Sequence, residues 1–524
     1  MRNRCTARLR AASCCVAVLL PGAAAFAGPA DIVPRGSIAY DLMGSLASGG
    51  SLPGLSLRDF FRGDRLYTRA EFADFVRRLR RGLTEDSARA NILPADSTAL
   101  LALETEFAAE LGGIALPRGD RPVAVRVTGA FKARALTDPD AGSGIGRVSV
   151  ILPVGRDGYA ALAGGNFRNE WYDESAPRKG GYPLIETAFI RVNGRALDVS
   201  VGRMPLRWGP GYVGGMLLSD DSPSLPQIRV EKIFRLPGTL GRRVGPLRFE
   251  QFDAQFFEDD IPGALPDARG TRRYLLGRRI ETNGEGRFSF SAGEAFKSTR
   301  LPDPIFANLL PFFVYQNSWT ESSRRRTFAF LASGALPDTG WLNYLADINL
   351  SYRADARRTS LYADLLLDDV QAPDGFNLGN PTPRKIGGQV GVYAPDLGGL
   401  GGKVALRLEF ATIDAGTYAN ASLPVAYDQN GVSLGHPSGP NAEVYFGRLD
   451  VAATSKLKLA LEGTLRRRKD RSEPAPKTDR LGLYATYALR RGAFVGARFE
   501  HLQTENGAVT ASSDRAELNL GIGF

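Results

Sequence analysis

Apolar and polar residues alternate along most of this chain, from about residue 123 to its last residue. Segments of eight to ten alternating residues are separated by turns rich in Gly, Pro, Asp and Asn. A period of two places successive side chains on opposite faces, so each segment predicts a β-strand with one apolar and one polar face. The clearest predicted strands cover residues 123–133, 147–153, 248–256, 287–294, 361–368, 403–412, 444–453, 457–466, 481–489 and 493–501.

The spacing of these segments predicts the number of strands. About 400 residues, at about 22 residues per strand and connection, give roughly 18 strands. Residues 489–493 predict a short turn, whereas residues 467–479 predict a long charged loop. Charged residues occupy one face of the strands, as in the pairs Arg407 and Glu409 or Arg498 and Glu500, which predicts a polar interior.

Residues 31–112 follow a helical period instead. Ile38, Leu42 and Leu46 are one turn apart. Thr68 and Glu71 form the sequence of a capping box before an apolar stripe. That stripe contains Phe72, Phe75, Val76 and Leu79. A further helix is predicted to open at Asp96-Ser97, with Leu100, Leu103, Phe107 and Leu111 on one face.

Both ends of the chain predict export to an outer membrane. Four arginines, an apolar stretch at residues 11–20 and Ala25-Phe26-Ala27 have the pattern of a secretory signal peptide, so the mature chain is expected to begin near Gly28. The last ten residues alternate between two faces and end on Phe524. This segment resembles the terminal strand of bacterial outer-membrane β-barrels, which implies recognition by the barrel assembly machinery.

Composition limits the chemistry of the mature protein. All three cysteines lie in the predicted signal peptide, at Cys5, Cys14 and Cys15, so disulfides, Cys-ligated zinc and thiol nucleophiles are excluded after cleavage. The formal charge of +10 includes four signal arginines and leaves about +6, which fits polyanion contact and charged lumens equally well. No later apolar run approaches the roughly 18 to 20 residues of a membrane-spanning helix, and mean hydropathy is −0.17.

The predicted fold class is therefore an all-β transmembrane antiparallel barrel of roughly 18 strands with a small N-terminal α-helical periplasmic region. Residues 1–27 are the expected signal peptide, 28–118 a helical cap or plug, and 119–524 the barrel. We expect this barrel to contact outer-membrane lipid in a bacterial cell.

The N-terminal region contains a second resemblance. Residues 31–42, a glycine-rich middle and residues 63–73, with Thr-Arg-Ala-Glu-Phe at 68–72, resemble an S-layer homology motif. The resemblance implies contact with a peptidoglycan-linked polymer, and Asp64, Arg65, Arg69 and Glu71 are the candidate contacts. Only one copy is present, whereas the family uses several. A helical bundle that only caps the periplasmic mouth is the alternative, and the two are compatible.

Residues 201–223 form the most unusual segment of the chain. Arg203, Trp-Gly-Pro-Gly at 208–211, Gly214-Gly215 and Leu-Leu-Ser-Asp-Asp at 217–221 follow one another. The order resembles the core of the Wzi capsule-assembly family of outer-membrane barrels, in which Leu-Leu-Ser-Asn-Asn is usual. Asp220 and Asp221 stand at those asparagine positions and are candidate polysaccharide contacts, together with Arg203, Arg207 and Trp208. Predicted strands at 197–203 and 227–234 fit the same order.

The same segment predicts a constriction that folds into the barrel, because its glycines permit backbone paths closed to other residues and Pro210 fixes one φ angle. Trp208 offers a face for sugar stacking, and Arg203 and Arg207 can pair with carboxylates of a polysaccharide. The other interpretation is structural: the segment shapes the wall and forms a salt bridge with Asp220 or Asp221.

The expected function is binding of surface polysaccharide, with a role in capsule assembly or attachment. The alternative is a porin or solute channel with a peptidoglycan-anchoring N-terminal region; an open bore would favour it. We expect no enzyme activity, because only His436, at an expected loop tip, and His501 could serve a catalytic triad. Cofactors, metal ions and nucleic acid are not expected.

Overall fold

The computed structural model describes residues between 30 and 521, in segments. The described residues are 30, 32–33, 39–40, 42–43, 46, 66–85, 94–111, 124–133, 142–154, 158–165, 185–194, 197–222, 224–256, 273–282, 288–298, 342–354, 359–368, 385–400, 403–419, 426–429, 432–454, 456–469, 477–488, 494–506 and 509–521. The predicted signal peptide and the last three residues lie outside them. Within this described part, no helix is both long and apolar enough to cross a membrane.

Residues 39–40, 42–43 and 46 are helical. Four further α-helices and one 3₁₀ turn have defined bounds in the described segments. They are α1 (Arg69–Glu85), α2 (Pro94–Glu106), α3 (Ala108–Leu111), α4 (Gly238–Val244) and the 3₁₀ turn Leu397–Gly399. The predicted capping box opens α1: the Thr68 amide donates to Glu71 Oε2 at 2.7 Å, and the Glu71 amide donates to Thr68 Oγ1 at 3.2 Å. The helix predicted to open at residue 96 begins two residues earlier.

The strands account for most of the remaining described chain. They are β1 (Ala124–Ala133), β2 (Gly142–Val154), β3 (Gly158–Gly165), β4 (Ile185–Asn193), β5 (Asp198–Met204), β6 (Leu225–Arg235), β7 (Pro246–Gln255), β8 (Tyr274–Thr282), β9 (Phe288–Ser298), β10 (Leu342–Arg353), β11 (Ser360–Asp368), β12 (Ile386–Ala394), β13 (Val404–Ile413), β14 (Asp428–Gln429), β15 (Val432–Ser433), β16 (Ala442–Ala452), β17 (Leu457–Arg468), β18 (Lys477–Ala488), β19 (Phe494–Asn506) and β20 (Val509–Gly521).

Eighteen of these strands form one antiparallel sheet, and β14 with β15 forms a separate two-stranded hairpin. Each strand of the large sheet pairs with the next one along the chain, with β13 pairing directly to β16. The last strand, β20, lies against the first, β1. This meander of consecutive hairpins confirms the predicted fold class and strand number.

The outer face of the sheet is apolar and its inner face is polar, which is the reverse of a water-soluble protein. In β11, Leu361 and Leu365 on the outer face are 45% and 44% exposed, whereas Asp364 on the inner face is 2% exposed. The inner faces of neighbouring strands carry ion pairs such as Arg248–Glu281 at 3.1 Å. An apolar exterior around a polar interior is the arrangement expected of a barrel that spans lipid.

The two ends of the barrel differ. One end, where β1 begins, has short connections such as residues 354–359 and 453–456 and receives the helices; we call it the helix end. The opposite end has long connections, including residues 205–224 and 414–441; we call it the loop end. The long loop predicted at residues 467–479 is shorter than expected, because β17 extends to Arg468 and β18 begins at Lys477. The short turn predicted at residues 489–493 lies outside the described residues.

The N-terminal helices form their own aromatic core and also pack inside the barrel. Phe72 of α1 stacks on Phe107 with ring centroids 5.0 Å apart. Ala70 shares a second buried cluster with Tyr159 and Phe189, which project inward from β3 and β4. The helical region therefore lies against the inner wall at the helix end.

Candidate functional site: a constriction inside the barrel

The connection between β5 and β6 is a long inward loop, residues 205–222, which we call the constriction loop. A backbone bridge closes its base, where the Trp208 amide donates to the Leu218 carbonyl at 3.0 Å. Gly209 has a φ of 109°, and a Cβ on Gly215 would lie 1.7 Å from the Trp208 carbonyl oxygen. Only glycine fits at these two positions, so the glycine pattern is a requirement of the loop path.

Trp208 is fully buried against the inner faces of β7, β8 and β9. Its Nε1 donates to Glu250 Oε1 at 3.3 Å, and its ring packs at 64° to Phe252 with centroids 5.3 Å apart. Gly277 of β8 and Gly293 of β9 leave room for the indole, since a Cβ on either would contact it. The predicted sugar-stacking role of Trp208 is wrong for this conformation, because no face of the ring is accessible.

Arg207 is also buried and stabilises the loop from within. Its guanidinium forms an ion pair with Asp220 and donates to the Gly211 carbonyl at 2.6 Å. Burial alone would lower the pKa of Arg207, but the carboxylates of Asp220, Asp221 and Glu409 outweigh it and raise that pKa. The predicted salt bridge to Asp220 is present.

Asp220 and Asp221 are adjacent in sequence but differ in their partners. Asp220 is committed to Arg207, whereas Asp221 accepts a hydrogen bond from Ser219 Oγ at 2.5 Å. Burial, and then the charge of Asp220, raise the pKa of Asp221 to about 6. Both carboxylates are partly exposed at the loop end, unlike Trp208.

The far end of the constriction loop is held by the opposite wall. Glu409 of β13 accepts the amides of Tyr212 and Val213, the latter at 3.0 Å, as well as Gln389 Nε2 at 3.2 Å. Asp364 of β11 accepts the Met216 amide at 3.1 Å. The loop therefore crosses the interior from β7–β8 to β11–β13, as the prediction of an inward constriction requires.

A row of alternating guanidinium and phenol groups extends from this contact around the inner wall. Arg407 lies 4.4 Å from the ring centroid of Tyr393 and 4.8 Å from that of Tyr212. The row continues through Arg448, Tyr484 and Arg498 at distances of 5.7, 5.3 and 5.1 Å. Tyr212 thus joins the constriction loop to a cation–π series on β13, β16, β18 and β19.

The connection between β13 and β16 covers the constriction loop from above. Tyr418 donates its hydroxyl to the Met216 carbonyl, and the Leu434 carbonyl accepts the Ser219 amide at 2.7 Å. His436 lies in this connection but is fully buried, so its expected position at an exposed loop tip is wrong. Burial, then the charges of Arg207 and Arg466, lower the pKa of His436 to about 3.

Arg203 does not belong to this cluster. It precedes the constriction loop on β5 and shares the outer face of the strand with Val201, which is 49% exposed. Ser200 and Met204 are buried on the inner face. The predicted grouping of Arg203 with Trp208 is therefore wrong, because strand alternation directs its side chain away from the interior.

The predicted cell-wall contacts are used inside the molecule. Arg69 pairs with Glu106 at 2.9 Å and Glu110 at 2.8 Å and lies over the Phe107 ring. Glu71 pairs with Arg191 of β4 at 3.1 Å, and both side chains are buried. Asp64 and Arg65 lie outside the described residues. In this conformation, α1 uses the polar groups of its Thr-Arg-Ala-Glu-Phe sequence for packing and docking.

Sequence reasoning did not identify Glu409 and Asp364 as anchors of the constriction loop. Their positions on polar strand faces indicated a lumen, but nothing local indicated which backbone amides they would receive. The described residues contain no group of three or more His, Cys, Asp or Glu side chains placed to hold a metal ion.

Comparison with known proteins supports the fold. No protein-family model and no curated protein matches this chain. Among solved structures, Wzi of Escherichia coli, described as an outer membrane protein involved in group 1 capsule assembly and a carbohydrate-binding β-barrel, matches with a TM-score of 0.60 and 14% identity, over 94% of this chain and 99% of that one. OccD3 of Pseudomonas aeruginosa matches with a TM-score of 0.41 and 9% identity, over 76% and 91%. A BenF-like porin of Pseudomonas fluorescens matches with a TM-score of 0.39 and 12% identity, over 76% and 97%. The chain has the fold of the Wzi outer-membrane β-barrel.

Proposed function

We propose that this protein binds surface polysaccharide at the bacterial outer membrane and assists capsule assembly or attachment, without catalysing a reaction. Two features support the proposal. The fold is shared with Wzi, which is described as a carbohydrate-binding barrel involved in capsule assembly. The interior is also crossed by a constriction loop that buried contacts hold on both sides, which suits a binding protein better than a general porin.

The constriction loop is the stronger of these two supports. Glu409, Asp364 and Glu250 each hold part of the constriction loop to the wall, and each is an inward carboxylate of a different strand. Displacing the loop would remove at least one donor from each of these buried carboxylates, at a cost of about 1–3 kcal/mol each. A bore closed in this way offers a rigid surface at the loop end.

The orientation in the membrane follows from the two ends. The helix end would face the periplasm, and the loop end, with its long connections, the cell exterior. Outer-membrane lipid would cover the apolar outer face, and the barrel assembly machinery would insert the chain after export. The helices would act as a periplasmic plug; because Arg69 and Glu71 are engaged internally, we do not assign them to a peptidoglycan-linked polymer.

Within the constriction loop, the proposed polysaccharide contacts are Asp221 and the exposed part of Asp220. Carboxylates accept hydrogen bonds from sugar hydroxyls, and charge-assisted bonds of this kind contribute about 1.5–3 kcal/mol. Arg207 and Trp208 would position these carboxylates from beneath, and Arg203 is left out of the proposed site.

The test is to measure polymer retention and barrel abundance in the same cells. We expect Asp221→Ala to release surface polysaccharide into the medium, with about a tenfold loss in affinity for isolated polymer and a normal amount of folded barrel. Asp479→Ala is the matched control, since Asp479 is a loop-end carboxylate on β18 that pairs with Lys477. Proportional losses of polymer and barrel, or equal effects of the two variants, would refute the proposed contact.

A further inference from the structure

A separate cavity lies at the helix end, between α2 and the inner wall of β16–β18. Its volume is about 130 Å³, and it opens on one side. Helical residues form one wall, and strand residues carrying both charges, hydroxyls and a phenol form the other. The lining includes Leu103, Thr105, Glu106, Asp450, Lys458 and Ala460.

Lys458 distinguishes this cavity from the packed interior around it. Among the described residues it makes neither a hydrogen bond nor an ion pair, although it is partly buried and lines the cavity beside Glu106 and Asp450. The neighbouring charges are already paired: Arg448 with Asp450 at 3.0 Å, and Arg69 with Glu106 at 2.9 Å. The three N–H groups of Lys458 are therefore donors that the described protein does not use.

The other polar groups of the cavity can still accept hydrogen bonds. Thr105 donates its hydroxyl to the Leu101 carbonyl at 2.8 Å, which leaves its lone pairs available. Glu106 has a second carboxylate oxygen beyond the one that Arg69 holds. Thr486 adds another hydroxyl to the lining. The cavity thus offers both donors and acceptors beside an apolar surface of leucine and alanine side chains.

We propose that this cavity binds a single uncharged sugar ring. Ring hydroxyls can accept from Lys458 and donate to Glu106 or Asp450, while the C–H face of the ring packs on Leu42, a partly exposed apolar residue of the lining. The lining carries two cations, Arg448 and Lys458, and two carboxylates, Glu106 and Asp450, so its charges balance and an uncharged ligand is favoured over a carboxylate. A cavity of roughly 150 Å³ accommodates a benzene-sized ring, so this open cavity of about 130 Å³ takes part of one sugar ring, and the rest of the ring and its substituents lie in the opening.

The cavity shares Arg448 and Tyr484 with the cation–π row that reaches Tyr212 of the constriction loop, but its lining contains neither Asp220 nor Asp221, so it would bind its ligand whether or not the loop end holds polysaccharide. Binding can be measured by saturation-transfer NMR and calorimetry on the full mature chain in detergent, with D-glucose, D-galactose and D-glucuronate as probes. We expect at least one uncharged sugar to bind saturably. Asp221→Ala at the loop end should leave this binding unchanged.

Two variants and a matched control test the site itself. Lys458→Met should weaken binding about tenfold, because it removes a charged donor, and Ala460→Leu should abolish binding by filling the cavity. Lys456→Met, at an exposed lysine two residues away, should bind like wild type. Melting curves would establish that all three variants are folded. Absence of saturable binding by both uncharged sugars, tighter binding of glucuronate, or equal effects of the two lysine variants would overturn the proposal.

Discussion

At the scale of single residues, the structure separates side chains that hold the constriction loop from those that can meet a ligand. Trp208 and Arg207 are buried, whereas Asp220 and Asp221 remain partly exposed. A tryptophan beside glycines and arginines is consistent with either role in sequence. Burial decides between them, because stacking requires an accessible ring face.

Replacement of Trp208 tests this assignment. Trp208→Ala should reduce the free energy of unfolding by about 3–5 kcal/mol, because it opens a cavity beside Phe252 and leaves Glu250 without its indole donor. Denaturant unfolding of the purified barrel measures the loss. Phe499→Ala, at an outward aromatic that is 48% exposed, should have a smaller effect. Loss of polymer binding with unchanged stability would contradict the structural role.

The pH dependence of the melting temperature tests the burial of His436. The pKa of buried His436 falls from its ordinary 6.5 to about 3, so the unfolded chain takes up a proton that the folded protein refuses. Stability from this site is fully present above pH 6.5 and is lost as the pH falls toward 3. We expect the melting temperature to fall less steeply between pH 7 and 4 in His436→Gln than in wild type. Thr454→Ala, at an exposed residue that does not ionise, should keep the wild-type slope.

At the scale of elements, the constriction loop depends on a strand about 200 positions further along the chain. Glu409 of β13 receives two loop amides and also the Tyr362 hydroxyl and Gln389. The loop has no regular secondary structure to satisfy these amides. Its conformation is therefore set by the wall it reaches, rather than by local hydrogen bonding.

Glu409→Gln should loosen this contact. The amide keeps the shape of the side chain but loses its charge and half of its accepting capacity, which leaves loop donors unsatisfied at a cost of about 1–3 kcal/mol. Single-channel recordings should show brief current openings that wild type lacks. Glu443→Gln is the control, because Glu443 lies on the outward face of β16 beside Tyr445, and its single-channel recordings should match those of wild type. A Glu409→Gln variant with no more current openings than wild type would show that Glu409 is not needed to hold the loop.

At the scale of the whole molecule, two independent obstructions occupy the barrel: the constriction loop toward the loop end and the helices at the helix end. The helices are docked by the buried Glu71–Arg191 pair and by apolar contacts with β2–β5. The buried hydrogen bonds of the constriction loop are to β7, β11 and β13, whereas the helices dock on β2–β5, although both obstructions also reach Arg448 of β16. Removing either one should therefore leave the other in place.

Conductance of deletion variants tests this arrangement. Deleting residues 30–111 alone, or replacing 209–217 by a short glycine linker alone, should leave conductance low. The combined variant should conduct steadily. Heat modifiability on gels would show that each barrel is folded. A large, steady conductance in the wild-type protein would contradict the double obstruction and favour the porin alternative.

The sequence by itself determined most of the strands, their approximate number, the capping box of α1 and the inward path of the constriction loop. These features follow from local rules: a period of two, reciprocal hydrogen bonds three residues apart, and glycines where no Cβ fits. Among the strands that were not identified, β3, β8 and β12 contain glycines or adjacent charged residues that break the period. The strands β4 and β10 contain neither, and β10 alternates regularly from Ala346 to Arg353.

Only the tertiary structure decided which residues the site contains. Trp208 is a core residue because two glycines on β8 and β9 leave space for its ring. Arg203 is not part of the site because strand alternation directs its side chain outward. Glu71 became a docking residue because closure of the sheet brings Arg191 to it across 120 positions of sequence. Such contacts depend on closure of the whole sheet. No local pattern encodes them, because the partners meet only when the barrel is formed.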